Sequence, residues 1–249
     1  MRTSASIRSV LASRVAIVGR GRMGQALAAA LARAGVDVVG PLGRGADGGD
    51  ADVVLLCVPD AQIAAAAALI APGRLVGHTS GVTTLEPLEP HEAFSMHPLL
   101  SVTGPGARFE GAGCAIAGAT PDALSAAAGL ARVLGMHSAV VADEDRPLYH
   151  AAASMASNFV VTLLGAAERL AGETGVERPL LAPLVRAAVE NWAADGAPRA
   201  LTGPIARGDD ATVARQRTAV AERAPGLLAV WDALAAETHT LAAAARRHA

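Results

Sequence analysis

The residues able to do chemistry fall into two groups. Near the N-terminus, Gly19-Arg20-Gly21-Arg22-Met23-Gly24 follows the apolar run Val15–Val18 and precedes an Ala/Leu-rich stretch. Glycines at this spacing, between a strand and a helix, suit a dinucleotide. Gly19 permits the tight turn, Gly21 lets the backbone approach a pyrophosphate, and Gly24 lets the helix pack on the strand. The helix N-terminus then offers free N–H groups to the anion. The alternative is a glycine turn without a ligand. In the second half, His150, Ser154 and Asn158 stand four apart. On an α-helix they lie within an arc of about 80°. Such a row on an Ala/Val/Leu helix is either a hydrogen-bonded seam between helices or a substrate-facing surface, because buried polar groups must find partners.

Cofactor choice rests on the end of the second strand. An NAD binder normally places an acid there, ~20 residues past the loop, to hold the ribose 2′-hydroxyl. The sequence instead offers Gly43-Arg44-Gly45. A guanidinium can grip a 2′-phosphate through two hydrogen bonds, and Arg20 and Arg22 add positive charge at the same mouth. The reading is NADP, against three solvated surface arginines. Val58, Pro59 and Asp60 end the third strand, where they and Ser80 are expected to set the nicotinamide end. Ser80 follows a strand carboxyl end, where ligands of open sheets collect; Thr79-Ser80-Gly81 is equally turn chemistry. His97 either lines the same crevice or bonds its own loop. Thr202 and Arg207 occupy a Gly/Pro loop, where Arg207 could clamp a carboxylate or serve a helix cap through Asp209. No Ser/His/Asp triad, carboxylate dyad or metal cluster is evident.

Composition narrows the chemistry further. The 249 residues contain no lysine, so all 21 basic residues are arginine. That excludes a Schiff-base lysine, a P-loop lysine and a lysine general acid. The formal net charge of −2 argues against a nucleic-acid or anionic-membrane partner. Cys57 and Cys114 are far apart, without metal or disulfide spacing, and Cys57 reads as a buried strand residue. No apolar stretch is expected to reach the ~18 residues of a membrane helix. A cytoplasmic protein acting on a small molecule, with no membrane partner, is expected. The first thirteen residues read as a disordered N-terminus.

Around these residues the chain has two textures. Up to Asp143, buried strands are expected at 15–18, 36–39, 53–58, 75–77, 93–96, 114–117 and 137–141, with helical segments among them. Alternation of this kind predicts a mostly parallel sheet with helices on its faces. Beyond Asp143 four helices follow, opened by Pro147, Pro179, Asp209 with Asp210, and Pro225. The expected division is a nucleotide-binding domain over 14–143 and a helical domain over 144–249. The helices are more apolar than so small a bundle can bury, which predicts a homodimer.

The glycine loop, Val58-Pro59-Asp60, His78-Thr79-Ser80-Gly81, Ser95-Met96-His97-Pro98-Leu99, Tyr149–Asn158 and Leu201-Thr202-Gly203-Pro204…Arg207-Gly208-Asp209 together resemble one bacterial family. Its members are Rossmann-like oxidoreductases with a C-terminal domain of unknown function, DUF2520. More remotely the chain is similar to pyrroline-carboxylate reductases, ketopantoate reductases and β-hydroxyacid dehydrogenases. The resemblance implies an N-terminal Rossmann-like NADP-binding domain, an all-helical dimerisation domain, and an active site at their junction. β-Hydroxyacid dehydrogenases carry a catalytic lysine four residues before an asparagine. If Asn158 matches that asparagine, Ser154 stands at the lysine position and cannot act as a cationic proton donor. His150, one turn earlier, can, since imidazole titrates near pH 6.5. The expected activity is NADP-dependent reduction of a small 2-oxo acid or imino acid. Two other readings stay open: a non-catalytic NADP-binding regulatory protein and a deazaflavin-linked NADP oxidoreductase.

Overall fold

The computed structural model describes residues 13–247. The disorder expected for the N-terminal segment therefore falls, Ser13 apart, outside the described residues. The chain forms two compact units, one ending at Ser157 and the other starting at Asn158.

The first unit runs β1 (Arg14–Val18), α1 (Arg22–Arg33), β2 (Asp37–Leu42), β3 (Val53–Leu56), α2 (Ile63–Ala67), β4 (Leu75–His78), β5 (Glu92–Leu99), β6 (Gly113–Gly118), α3 (Pro121–Val133), β7 (His137–Val140) and α4 (Arg146–Ser154). The strands make one sheet in the order β2-β1-β3-β4-β5-β6-β7. Every neighbouring pair is parallel except β5 with β6. Alternate residues of each strand feed opposite faces. Val15, Ile17 and Leu55 pack with Leu27 and Leu31 of α1 and Leu130 of α3. Ala16, Val18, Val54 and Leu56 pack with Ile63 and Ala67 of α2. Each such Val, Leu or Ile contributes about 1.5–3 kcal/mol of burial, and a sheet covered on both faces explains why β1 and β3 read as unbroken apolar runs.

The expected α/β Rossmann-like region followed by helices is the observed fold. One detail differs. β7, read as buried, is exposed along its whole length, and β2 is only half-covered. Both are edge strands with a single neighbour, and a β-rich sequence run does not reveal edge position.

The second unit contains α5 (Val160–Gly172), α6 (Arg178–Asp195), the one-turn helices α7 (Ala197–Ala200) and α8 (Pro204–Arg207), α9 (Asp210–Arg223) and α10 (Leu228–Arg247). Asp209 caps α9 by accepting the Thr212 N–H at 3.0 Å, which satisfies one of the orphan donors at a helix start. Arg217 grips Asp232 with two bonds of 2.8 Å, tying α9 to α10. Arg178 does the same to Glu168 between α6 and α5.

A π-helical turn, Met155–Phe159, follows α4. The helical run Asp143–Gly172 is long and apolar enough, by length and composition, to cross a membrane, and none of that window is buried. This departs from the expectation that no apolar stretch is long enough, because the apolar residues of this run are punctuated by His150, Ser154 and Asn158.

Candidate active site

β1 delivers the glycine loop to the carboxyl ends of the parallel strands. Gly19 has φ +129°, and a Cβ there would lie 2.1 Å from the Cys57 carbonyl oxygen. Gly24 is closed in the same way, since a Cβ would sit 1.9 Å from the Gly19 oxygen. Gly21 is the opposite case, with nothing within 4 Å of an added Cβ. The outer two glycines are therefore required by packing, and the middle one leaves its backbone open to a ligand at the start of the twelve-residue helix α1. The Gln25 side chain donates to the Arg20 carbonyl at 2.8 Å and fixes the loop.

This loop forms one wall of a cavity of about 480 Å³, lined by Gly19, Arg20, Gly21, Arg44, Val58 and Pro59 among others. Arg20 lies over the Gly43–Arg44 segment, its guanidinium carbon 3.4 Å from where a Gly43 Cβ would be. Arg20 and Arg44 thus both line the cavity beside the end of β2, and among the described residues no acid lines it. The opening beside Gly21 and the free N–H groups of α1 fit the pyrophosphate of a dinucleotide. Four residues expected at the cofactor do not line this cavity. Arg22 is exposed, Met23 packs toward the core, Gly24 is buried, and Asp60 is exposed on a short 3₁₀ turn.

Cys57 also touches the cavity, but burial pushes its thiol up to about 12. Cys114 is likewise buried and pushed up to about 12. Both are inert as nucleophiles at neutral pH. Among the described residues no His/Cys/Asp/Glu group could hold a metal ion.

The loop after β4 is built by side chains bonding backbone. His78, fully buried, accepts the Ser80 N–H at Nδ1 (3.2 Å) and so donates from Nε2 to the Thr84 carbonyl (3.0 Å). Burial, foremost, lowers its pKa and keeps it neutral. Ser80 donates its hydroxyl to Thr83 Oγ1 at 2.8 Å and accepts the Val82 and Thr83 N–H groups. The hydroxyl's capacity is taken up inside the loop, which leaves Ser80 a loop-building residue.

That loop carries Gly81 against two imidazoles. A Cβ at Gly81 would lie 2.7 Å from His150 Cδ2 and 2.8 Å from His97 Cε1. His97 comes from β5 and His150 from α4; their ring centroids are 6.1 Å apart. Tyr149 joins them, its hydroxyl 2.7 Å from His97 Nδ1 and its ring edge-on to His97 at 5.6 Å. Two of the residues selected from the sequence, His97 and His150, are thus brought together across 53 positions, along with a third, Tyr149, that sequence reasoning passed over. Arg146 was also missed. It is 2% exposed, donates to Asp143 at 2.7 Å and donates from Nη2 to Ser95 Oγ.

Comparison with known families finds the description "Domain of unknown function (DUF2520)" matching residues 112–238. The chain belongs to the DUF2520 family. Comparison with curated protein sequences gives no match. Among solved structures, protein TM1727 from Thermotoga maritima is 22% identical, with a TM-score of 0.78 over 93% of this chain and 99% of that one. BF3122 from Bacteroides fragilis, a candidate NADP oxidoreductase, is 16% identical, with a TM-score of 0.76 over 93% and 99%. The pyrroline carboxylate reductase of Plasmodium falciparum, solved with NADP bound, is 12% identical, with a TM-score of 0.60 over 94% and 99%. At these identities the likeness is one of fold.

The remaining sequence candidates of this DUF2520 protein are more dispersed. Ser154 ends α4 and is half-exposed. Asn158 lies in the π-helical turn and opens the second unit, so the row His150, Ser154, Asn158 does not keep the constant α-helical phase expected of it. A turn of i→i+5 bonding shifts the angle between Ser154 and Asn158. Thr202 and Arg207 are exposed in the second unit, Arg207 on the one-turn helix α8.

Proposed function

We propose that this DUF2520 protein is an NADP-dependent oxidoreductase that reduces the carbonyl or imine of a small 2-oxo or imino acid. The observation that carries this reading is the pairing, within one unit, of a cavity fitted to a dinucleotide with the His97–Tyr149–His150 cluster. The fold it shares with a reductase solved with NADP bound supports it.

Gly19, Gly21 and the N-terminus of α1 would hold the pyrophosphate, and Arg20 with Arg44 the 2′-phosphate. When bound, NADPH supplies a hydride to the substrate carbon. The chain's own task is orientation and one proton. His150 donates that proton to the carbonyl oxygen or imine nitrogen as the double bond is reduced, giving a hydroxyl or amine. Ser154, which ends α4 in the same unit, is assigned to holding that group. General acid catalysis of this kind is typically worth ~10²–10⁴-fold.

The protein is further proposed to act as a homodimer through its helical half. Val161, Leu163, Leu180, Leu184 and Trp192 are all exposed there, an apolar display of the kind that marks association surfaces. The test of the activity is a panel of 2-oxo acids and cyclic imines, followed by loss of NADPH absorbance. Turnover of at least one with NADPH supports the reading. NADPH binding without turnover across the panel favours a cofactor-binding regulatory protein instead.

A further inference from the structure

The docking of α4 on β5 sets the two histidines in different surroundings. Ser95 and His97 are two apart on β5 and so share a face. Arg146, Tyr149 and His150 stand at i, i+3 and i+4 on α4 and also share one. The two faces meet at two rungs, Arg146 on Ser95 and Tyr149 on His97. Arg146 is bolted from the other side as well: Asp143 accepts its Nε–H at 2.7 Å and, through the second carboxylate oxygen, the Leu85 N–H at 3.2 Å. The helix therefore has little freedom to slide, and the Tyr149–His97 bond is held at both ends.

The direction of that bond follows from donor accounting. A phenol has one hydrogen to place, and among the described residues the Tyr149 hydroxyl bonds His97 Nδ1. Burial, chiefly, pushes Tyr149 up to about 12. Satisfying the phenol within the protein points its hydrogen at Nδ1, and a neutral imidazole that accepts at Nδ1 carries its own hydrogen on Nε2. The surroundings of the ring agree. Burial, foremost, lowers His97; His150 and Arg146 from α4 and His78 from β4 act in the same direction, Asp60 from the turn after β3 opposes them, and the ring is held down to about 4.

We propose that Tyr149 locks His97 as a neutral imidazole with its proton on Nε2, and that this N–H donates a hydrogen bond to the substrate's carbonyl or imine while His150 supplies the proton. A neutral imidazole can polarise a carbonyl in this way without competing for the proton. The donor role rests on the reductase reading above; the lock itself does not. In this scheme His97 is a catalytic residue and Tyr149 a positioning residue.

The experiment is nitrogen NMR of the imidazole rings in the full chain, with and without NADPH, across about pH 5 to about pH 8, the range in which an ordinary histidine titrates. The expected result is a His97 ring that stays neutral throughout, with Nε2 protonated and Nδ1 bare. Titration of His97 in that range, or a proton on its Nδ1, overturns the inference whatever the enzyme turns over. Tyr149→Phe keeps the ring edge against His97 while removing the hydroxyl. It should release the lock, so that both neutral tautomers appear. With a working substrate it should lower kcat about tenfold, the weight of one buried hydrogen bond, and leave NADPH affinity unchanged. A His97 spectrum identical in Tyr149→Phe and the parent contradicts the lock. Absence of any turnover counts against the reductase reading and the donor role, while the tautomer result is read independently.

Discussion

The sheet unit buries Ile17, Leu27, Leu31, Leu55 and Leu130 completely, whereas in the helical unit the buried apolar residues among those described are Val220, Leu227 and Ala242. Leu180, Leu184 and Trp192 of α6 stand 70%, 69% and 57% exposed. The apolar content of the two halves is similar to the eye in the sequence, so the difference lies in what covers it. In the sheet unit, β1 and β3 find helices of their own chain on both faces. In the helical unit, the long helices, linked by Arg217–Asp232 and Arg178–Glu168, leave apolar side chains exposed. The proposed cofactor chemistry and the proposed assembly thus fall to different parts of the molecule, and each can be attacked separately.

The sharpest blow to the sheet unit is at the glycine loop. Gly24→Ala forces a Cβ to 1.9 Å from the Gly19 carbonyl oxygen, a backbone atom that cannot swing away. Overpacking plus backbone strain should cost more than about 2 kcal/mol and abolish NADPH binding, as read by thermal melting and calorimetry. Gly21→Ala meets nothing within 4 Å. It should melt within a few degrees of the parent and yet bind NADPH weakly. If both variants behave alike, the distinction between packing glycine and ligand glycine fails.

Next in size is His150→Ala, which should keep NADPH affinity while losing at least ~100-fold in turnover of the true substrate. Steady-state kinetics beside a cofactor titration checks both. Unchanged turnover would return His150 to a structural role.

On the helical side, Leu180→Glu with Leu184→Glu places two charges on the exposed stripe of α6. Light scattering at micromolar concentration should show the parent as a dimer and the double variant shifted to monomer, with the sheet unit still binding NADPH. A monomeric parent would contradict the assembly proposal.

The last is a pH effect on stability. Burial, then His150 and Arg146, hold folded His97 at about 4, against about 6.5 in an unfolded chain. Between those values the unfolded state binds more protons. Stability should therefore rise with pH from about 4 to about 6.5 and be lost as pH falls through that window. Melting curves should show this slope, flattened in His97→Gln.

The fold was legible where one physical rule decides the outcome. Val53–Leu56 had to be a buried strand because a short apolar run with no polar face suits a sheet covered on both sides. Gly19-x-Gly21-x-x-Gly24 had to turn between strand and helix because two of its three glycines have no room for a side chain. The site was legible only in part. His97 and His150 could be chosen by residue type, but their meeting depends on the register of β5 and on how α4 docks. Tyr149 looked like one aromatic among alanines; its partner is 52 residues away. Arg146 is charged and so reads as surface, yet it is almost fully buried. Nothing in local composition announces the π-helical turn that alters the phase at Asn158.

The most direct test of the central claim is calorimetric titration of NADPH and NADH into the full chain and into Arg44→Ala. Arg20 and Arg44 line the cavity where no acid does, and a hydrogen bond to a charged group is worth about 1.5–3 kcal/mol. The parent should bind NADPH at least about tenfold tighter than NADH, and Arg44→Ala should lose most of that preference. Equal affinities in the parent, or a preference untouched in Arg44→Ala, would contradict it.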